Sequence, residues 1–185
     1  MHSTDWNAII VLDGVKKGSV KYPHDIRIKE FAIKKVKKCG VNHAGTVRNY
    51  GIDQVEKSEW IGFVDDDDTL GRDYVDNLKS ESRDHPDADC VVFRGFYSFW
   101  NTTLPQSDSK HLLARSVGIT FSAKKKVFRT YKFIPSGEED FNFLRSINNN
   151  YNILLSPFLN YFVRSLPFKD NNYTNRTRVL NPQFK

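Results

Sequence analysis

The feature that most constrains the fold of this chain is an apolar strand that runs straight into four aspartates. The segment Trp60-Ile-Gly-Phe-Val64 has the length and composition of a buried strand, and Asp65 to Asp68 follow it directly. In open α/β sheets, ligands bind beyond the carboxyl ends of the strands. Adjacent carboxylates repel one another unless a cation neutralises them, and Mg²⁺ or Mn²⁺ binds carboxylate and phosphate oxygens. The run therefore predicts a metal-assisted phosphate site. The competing interpretation is an exposed acidic turn that begins the next helix.

The composition is that of one water-soluble globular domain. Of 185 residues, 39 % are hydrophobic and 27 % are charged, and no apolar stretch approaches the roughly 20 residues that cross a bilayer. The net charge of +6 favours anionic ligands only weakly, because the basic residues are scattered along the chain. We therefore expect no nucleic-acid partner and no transmembrane segment. Two cysteines without metal-ligand spacing, and no visible signal peptide, indicate a cytoplasmic chain that is either free or peripheral to a membrane.

Strand-like and helix-like segments alternate along the chain, without a Pro/Gly/Ser-rich linker or an internal repeat. A first apolar strand over residues 6–12 ends at Asp13, and residues 25–38 mix both signals. The remaining pattern predicts helices over 45–57, 72–83 and 138–148 and strands over 60–64, 90–94, 117–121, 152–156 and 161–164. We therefore predict one α/β domain over residues 1–168, followed by a polar tail over residues 169–185.

The motifs around the aspartates resemble those of the GT-A fold glycosyltransferases of the family-2 type. That family carries Ala-Arg-Asn-x-Gly-Ile at the start of a helix, then an apolar strand and a Leu-Asp-x-Asp-Asp metal motif. Here Val47-Arg48-Asn49-Tyr50-Gly51-Ile52 precedes the strand over 60–64 and the four aspartates. Gly137-Glu138-Glu139-Asp140 matches the family's Gly-Glu-Asp segment, which opens a helix. Because these matches occur in order, together they are more specific than any one motif.

The resemblance implies a single-domain GT-A fold, which is Rossmann-like, with a mixed, mostly parallel sheet flanked by helices. It also implies transfer of a sugar from a nucleotide-sugar donor, with a UDP-sugar favoured, to a hydroxyl of a glycan, protein or lipid acceptor, with inversion. The implied cofactor is Mn²⁺ or Mg²⁺. Family members have an additional strand and helix before the segment that matches residues 6–13, so this chain looks short at its N-terminus.

The resemblance further implies donor-binding roles for residues at the ends of the predicted strands and on the first helix. Asp13 would contact the nucleotide base, and Arg48 would lie near the donor. Asp65 and Asp67 would form the DxD pair, with Asp65 near the ribose and the metal and Asp67 binding the metal that bridges the diphosphate. Asp66 would be a further donor-binding residue.

Two neighbouring carboxylates, Glu139 and Asp140, match the position of the family's catalytic base. If residues 138–148 form a helix, with about 100° per residue, Asp140 shares a side with Phe143, Leu144 and Ile147, whereas Glu139 lies about 100° away. Asp140 is therefore predicted to point toward the sheet, where partial shielding and the helix dipole would keep it a usable base. We predict Asp140 as the base and Glu139 as the reserve, and the competing interpretation is that Asp140 only caps the helix.

Two other functions stay open at this point. A sugar nucleotidyltransferase would carry a glycine-rich phosphate loop after the first strand. Residues 13–18 resemble such a loop only weakly. A degenerate nucleotide- or cation-binding module would keep the acidic cluster without transferase activity. Tyr97-Ser-Phe-Trp100 is an aromatic cluster that either stacks on an acceptor sugar or packs in a core or interface.

Overall fold

The described chain contains both strands and helices, as the sequence predicts, but they do not alternate regularly, since four strands lie between the second and third helices and two consecutive helices come directly before the ninth strand. The computed structural model describes residues 5–36, 43–106, 109, 111–114 and 116–163, and the backbone of 179–180. The helices are α1 (Ala44–Asp53), α2 (Tyr74–Asp84), α3 (Val127–Thr130) and α4 (Glu139–Ile147). The strands are β1 (Ala8–Asp13), β2 (Ile28–Ile33), β3 (Trp60–Gly62), β4 (Thr69–Leu70), β5 (Cys90–Tyr97), β6 (Thr102–Leu104), β7 (Leu112–Leu113), β8 (Phe121–Lys124), β9 (Ile153–Val163) and β10 (Val179–Leu180).

Strands β1 and β2 form a parallel pair near the start of the chain, with Ala8 opposite Ile28 and Asp13 opposite Ile33. Strand β2 lies within the segment whose pattern mixes strand and helix signals. Helix α1 packs closely on β1, since a Cβ atom on Gly51 would lie 3.2 Å from Cγ2 of Val11. The parallel pair therefore supports the helix that carries Arg48.

The larger sheet is mixed and curled, and the prediction of a mostly parallel sheet is wrong. Its order is β3-β8-β5-β9-β4, with β6 on β5, and only β5 and β9 are paired in parallel. Among its antiparallel pairs, β5–β6 is a hairpin, whereas β3–β8, β4–β9 and β5–β8 join strands that are distant in the sequence. The direction of these strands is therefore set by tertiary pairing and not by short connections. Register shifts between Val92 and Gly95 bend the β5–β9 pair, as β-bulges do.

Strand β9 is one continuous strand, although the sequence predicts two shorter ones over 152–156 and 161–164. Val92 pairs with Leu155, whereas Arg94 pairs with Leu159, so β9 has extra residues at this point. Pro157 lies among them, and proline is tolerated in a sheet where it need not donate a ladder hydrogen bond. The predicted break is therefore a bulge. The predicted strand over 117–121 is wrong for residues 117–120. Strand β8 begins at Phe121, the last residue of the predicted strand.

A cluster of phenylalanines packs α4 against the sheet. The rings of Phe121 and Phe143 are stacked with centroids 5.6 Å apart, and those of Phe133 and Phe143 lie 4.6 Å apart. Phe133 precedes α4, and its backbone exchanges two hydrogen bonds with the Asn49 side chain of α1, at 2.8 and 3.0 Å. These contacts fix the N-terminus of α4 beside α1.

The predicted boundary between residues 168 and 169 lies outside the described residues. Within the predicted tail, β10 pairs with β7 in an antiparallel arrangement. Among the described residues, none of the helices combines the length and the apolar composition that crossing a membrane requires.

Candidate active site

Arg48 joins two acidic segments that are distant in the sequence. Its Nη2 atom lies 2.7 Å from Oδ1 of Asp65, and its Nη1 atom lies 2.7 Å from Oε1 of Glu139 and 2.8 Å from Oδ1 of Asp140. The Arg48 side chain is only 10 % exposed, so water screens these ion pairs weakly. We call these four residues the Arg48 cluster.

The Arg48 cluster is assembled from three parts of the chain, which are α1, the turn after β3 and the start of α4. Arg48 extends from α1, with its guanidinium carbon 5.7 Å from the centre of the Phe133 ring. Asp65 follows β3, and its backbone N–H donates to the buried Tyr161 hydroxyl at 3.1 Å. The Asp68 N–H donates to the Asp65 carbonyl at 3.1 Å, which closes the four aspartates into a turn.

The two carboxylates at the start of α4 both point toward Arg48, and Glu139 is the more deeply buried. Glu139 is 3 % exposed, and its Oε2 accepts a hydrogen bond of 3.0 Å from the Gly45 N–H. The Asp140 side chain is 22 % exposed. The predicted orientation, with Asp140 inward and Glu139 turned away, is therefore wrong for Glu139. The buried side of α4 is wider than predicted because Phe141 is buried too.

Burial shifts the titration of these carboxyl groups toward neutral pH. It raises the pKa of Glu139 to about 7 and that of Asp140 to about 6, although Arg48 acts in the opposite direction. Burial lowers the pKa of Arg48, but the three carboxylates outweigh that effect, and its pKa lies above the ordinary value. A charged guanidinium thus faces carboxyl groups whose pKa values are raised by burial, a combination typical of functional sites.

Asp13 lies at the carboxyl end of β1, as predicted, but its side chain does not contact the described residues of the Arg48 cluster. Its Oδ1 accepts a hydrogen bond of 2.7 Å from the Val36 N–H, and its Oδ2 lies 3.4 Å from Nζ of Lys35. Within the described part of the chain, the side chain of Asp13 therefore contacts the segment after β2 and none of the four residues of the cluster.

Comparison with known proteins identifies the family. The sequence model described as Glycosyl transferase family 2 matches residues 2–148, which include β1, the four aspartates and all of the Arg48 cluster. The chain belongs to glycosyltransferase family 2. No curated protein sequence matches this family-2 glycosyltransferase.

The fold of this chain is similar to that in the crystal structure of S. aureus TarS residues 1–349, with a TM-score of 0.67. The two sequences are 18 % identical, and the match covers 86 % of this chain and 51 % of the TarS chain. The chain thus spans about half the length of that solved chain. At this level of identity, the likeness shows a shared mixed α/β fold of the GT-A type.

The aspartates after β3 fit a divalent cation that is shared with a substrate. Asp66 and Asp67 are exposed at the turn, and neither side chain bonds to a protein group within the described residues. The described residues contain no group of three His, Cys, Asp or Glu side chains placed to hold a metal. Mg²⁺ commonly binds through one or two carboxylates, water and substrate phosphates, without an all-protein cage. Asp67 and the Asp65 oxygen that does not face Arg48 are carboxylate groups of this kind in the turn after β3.

Sequence reasoning missed two residues that shape the site. Tyr161 holds the backbone of Asp65, and Gly45 donates to Glu139. Tyr161 lies in an apolar strand and carries no local signal. Gly45 comes two residues before the motif that begins at Val47, so only its position next to that motif could have drawn attention to it.

Gly45 leads to the first testable prediction, because helix α1 leaves no room for a side chain there. A Cβ atom on Gly45 would lie 2.8 Å from both Oε2 of Glu139 and Cβ of Phe133. Gly45→Ala is therefore expected to lower the free energy of unfolding by about 1–3 kcal/mol, as overpacking does. In an open helix, the same change would raise that free energy by about 1 kcal/mol.

Urea denaturation measures this effect, and Gly137→Ala is the matched control. A Cβ atom on Gly137 would meet no atom within 4 Å. The control is expected to leave stability nearly unchanged. A Gly45→Ala protein as stable as the natural one would contradict the close packing between α1 and α4.

Proposed function

We propose that this family-2 glycosyltransferase transfers a sugar from a nucleoside diphosphate donor, with UDP favoured, to an acceptor hydroxyl with inversion. The observation that carries the proposal is the Arg48 cluster. Through Arg48, one carboxylate at the strand end where a diphosphate is expected is joined to two carboxylates with raised pKa values. Transfer needs both kinds of group, because the leaving diphosphate requires a counter-charge and the acceptor requires a base.

Asp140 is the proposed base. Its Oδ1 faces Arg48, while its other oxygen has no hydrogen-bond partner among the described residues and its side chain is partly exposed. Glu139 serves as the reserve, because one of its oxygens faces Arg48 and the other accepts the Gly45 N–H. In the proposed step, the acceptor oxygen bonds to the anomeric carbon, the bond from that carbon to the diphosphate oxygen breaks, and the hydroxyl proton goes to Asp140.

The donor side of the site is assigned to aspartates at strand ends. Asp67 and Asp65 would hold Mn²⁺ or Mg²⁺, which when bound offsets the negative charge of the diphosphate. Arg48 keeps Asp65 oriented through its ion pair. Asp13 and Asp66 are proposed to contact the nucleotide, since Asp13 is the last residue of β1 and Asp66 follows β3, and ligands of α/β sheets bind at such strand ends.

The experiment that tests this function compares Asp67→Asn with the natural protein. Asp67→Asn is expected to abolish Mn²⁺-dependent binding of UDP, because an amide oxygen lacks the charge that a hard cation prefers. Isothermal titration calorimetry with and without Mn²⁺ measures that loss. Asp76→Asn, an exposed change on α2, is expected to leave binding unchanged.

The outcomes of this test separate the proposed function from its alternatives. Unchanged UDP affinity in Asp67→Asn would contradict the metal assignment. Metal-dependent UDP binding without release of UDP from any UDP-sugar would indicate a binding module. Release of pyrophosphate from UTP and a sugar phosphate would indicate a nucleotidyltransferase.

A further inference from the structure

Two aromatic rings are stacked at the end of β5. The ring centroids of Tyr97 and Trp100 are 5.6 Å apart, and the ring planes differ by 28°. The turn between β5 and β6 brings them together, since the Trp100 N–H donates to the Tyr97 carbonyl at 3.2 Å. Asn101, which ends this turn, has a positive φ of 48°, a conformation that asparagine tolerates well. We call Tyr97 and Trp100 the aromatic pair.

Within the aromatic pair, Tyr97 is the more buried residue and Trp100 is the exposed one. The Tyr97 hydroxyl lies 3.2 Å from the position that a Cβ atom on Gly118 would take. Burial, and then the nearby charge of Asp140, raise the pKa of Tyr97. The Trp100 residue, in contrast, is 47 % exposed. The Trp100 indole is thus stacked on Tyr97, and about half of the residue is open to solvent.

A short series of contacts connects the aromatic pair to the Arg48 cluster. A Cβ atom on Gly95 would lie 3.3 Å from Cε2 of Tyr97 and 3.7 Å from Cβ of Tyr161, so these two tyrosines are neighbours over Gly95. The Tyr161 hydroxyl accepts the Asp65 N–H at 3.1 Å. Strands β3 and β5 are both antiparallel to β8, so their carboxyl ends lie at the same edge of the sheet.

The other two tryptophans are already covered by cations. The Arg27 guanidinium carbon lies 3.8 Å from the centre of the Trp6 ring, and Nζ of Lys124 lies 5.4 Å from that of Trp60. Within the described ranges, no cation lies over Trp100. Tryptophan and tyrosine are enriched at binding surfaces because each combines a large apolar ring with a polar N–H or O–H group. The C–H face of a pyranose matches such a surface, and the hydroxyl groups of the sugar stay hydrated at the ring edge.

On the basis of the transfer function proposed above, we propose that the Trp100 ring, backed by Tyr97, is the platform on which a sugar ring of the acceptor stacks. The acceptor is thereby assigned to the saccharide class, with a pyranose held near the edge that carries Asp65. A bare lipid or a protein surface at this position is an alternative that the following experiment separates.

Fluorine NMR of the full chain labelled with fluorotryptophan tests this assignment. The three tryptophan signals are identified with Trp6→Phe, Trp60→Phe and Trp100→Phe. The probes are methyl glycosides and disaccharides of glucose, galactose, mannose and N-acetylglucosamine, at millimolar concentrations. We expect at least one of them to shift the Trp100 signal to saturation and to leave the other two signals in place. Sorbitol, an open-chain polyol without a ring face, is expected to have no effect.

Two variants at the same turn provide the matched comparison. Trp100→Ala is expected to weaken binding of the responding saccharide about tenfold, the loss of one aromatic contact. Phe99→Ala removes an exposed aromatic ring that makes no ring contact with a described residue, and binding is expected to stay unchanged. Saturation-transfer NMR of the saccharide measures the affinity in both variants.

The outcomes distinguish this platform from the function on which it rests. No shift of Trp100 with any saccharide, or an equal shift with sorbitol, overturns the platform, and so does an equal loss in Phe99→Ala. Such a result includes the case in which a lipid, a protein or another part of this chain covers the ring. UDP binding in the same samples reports separately on the proposed transfer function.

Discussion

Arg48→Ala is expected to lower the free energy of unfolding by about 3–5 kcal/mol at about pH 8, the usual cost of removing one partner from a buried ion pair. Without Arg48, the charges of Glu139 and Asp140 would remain in a shielded position with Asp65 close by. Repulsion among the three carboxylates would add to the cost of burying them. The natural guanidinium is thus the counter-charge on which the site depends.

The loss is expected to shrink at lower pH. In the natural protein, the pKa values of Glu139, about 7, and Asp140, about 6, lie above those of the unfolded chain. The folded state therefore binds these protons more tightly. The stability that they contribute is complete below about pH 4 and is lost as the pH rises through about 6 to 7. Arg48→Ala raises both pKa values further, so its stability should fall more steeply with pH.

Urea denaturation at about pH 5 and about pH 8 measures both effects. The matched control is Arg145→Ala, which removes an exposed arginine from α4 and should change stability little at either pH. A loss for Arg48→Ala that is equal at the two values would show that the carboxyl groups do not titrate in response to Arg48. If Arg48→Ala lowers the free energy of unfolding no more than the control does, Arg48 is not buried among the three carboxyl groups.

Asp140→Asn is expected to lower the transfer rate by about 10²–10⁴-fold, the usual contribution of a general base. The amide keeps the shape of the side chain but cannot take the proton of the acceptor hydroxyl. Glu139→Gln should lower the rate less, because both oxygens of Glu139 already bond to protein groups. In the natural protein, the rate should fall as the pH drops below about 6, where Asp140 becomes protonated.

Release of UDP from a UDP-sugar in the presence of an acceptor measures the rate, and calorimetry with UDP confirms that each variant still binds the donor. If Asp140→Asn keeps the natural turnover while Glu139→Gln loses it, the base is Glu139. If neither variant changes the rate or its pH dependence, the base lies outside α4. The same two measurements therefore decide between the neighbouring carboxylates.

The two acidic segments of the site could be predicted from the sequence, whereas the contacts that bring them together at Arg48 could not. Asp65 to Asp68 after an apolar strand and Glu139 and Asp140 at a helix start are both visible as short patterns, and the structure places them there. That Arg48 touches both groups depends on how α1 packs beside α4. The contact between Tyr161 and Asp65 also depends on strand pairing, which no single segment encodes.

The direction and continuity of strands were the least predictable features of the fold. The apolar residues over 117–121 do not show that β8 begins at Phe121 or that it runs antiparallel to β5, because both features depend on which strands it pairs with. In β9, Pro157 reads locally as a break, yet the bulge opposite β5 accommodates it within one strand. On α4, Glu139 is buried although it is an acidic residue, because Arg48 and the Gly45 N–H donate hydrogen bonds to its two carboxylate oxygens.

The ion pairs of Arg48 differ in the length of chain that each one closes. Asp65 is 17 residues away from Arg48, whereas Glu139 is 91 residues away and Asp140 is 92. Closing the longer loop costs about 1.5 kcal/mol more in chain entropy, so contacts to α4 are the slower ones to form. A chain cut before α4 would also lack β9, which carries Tyr161 and pairs with β4 and β5, so we expect the Arg48 cluster to assemble only after β9 has been synthesised.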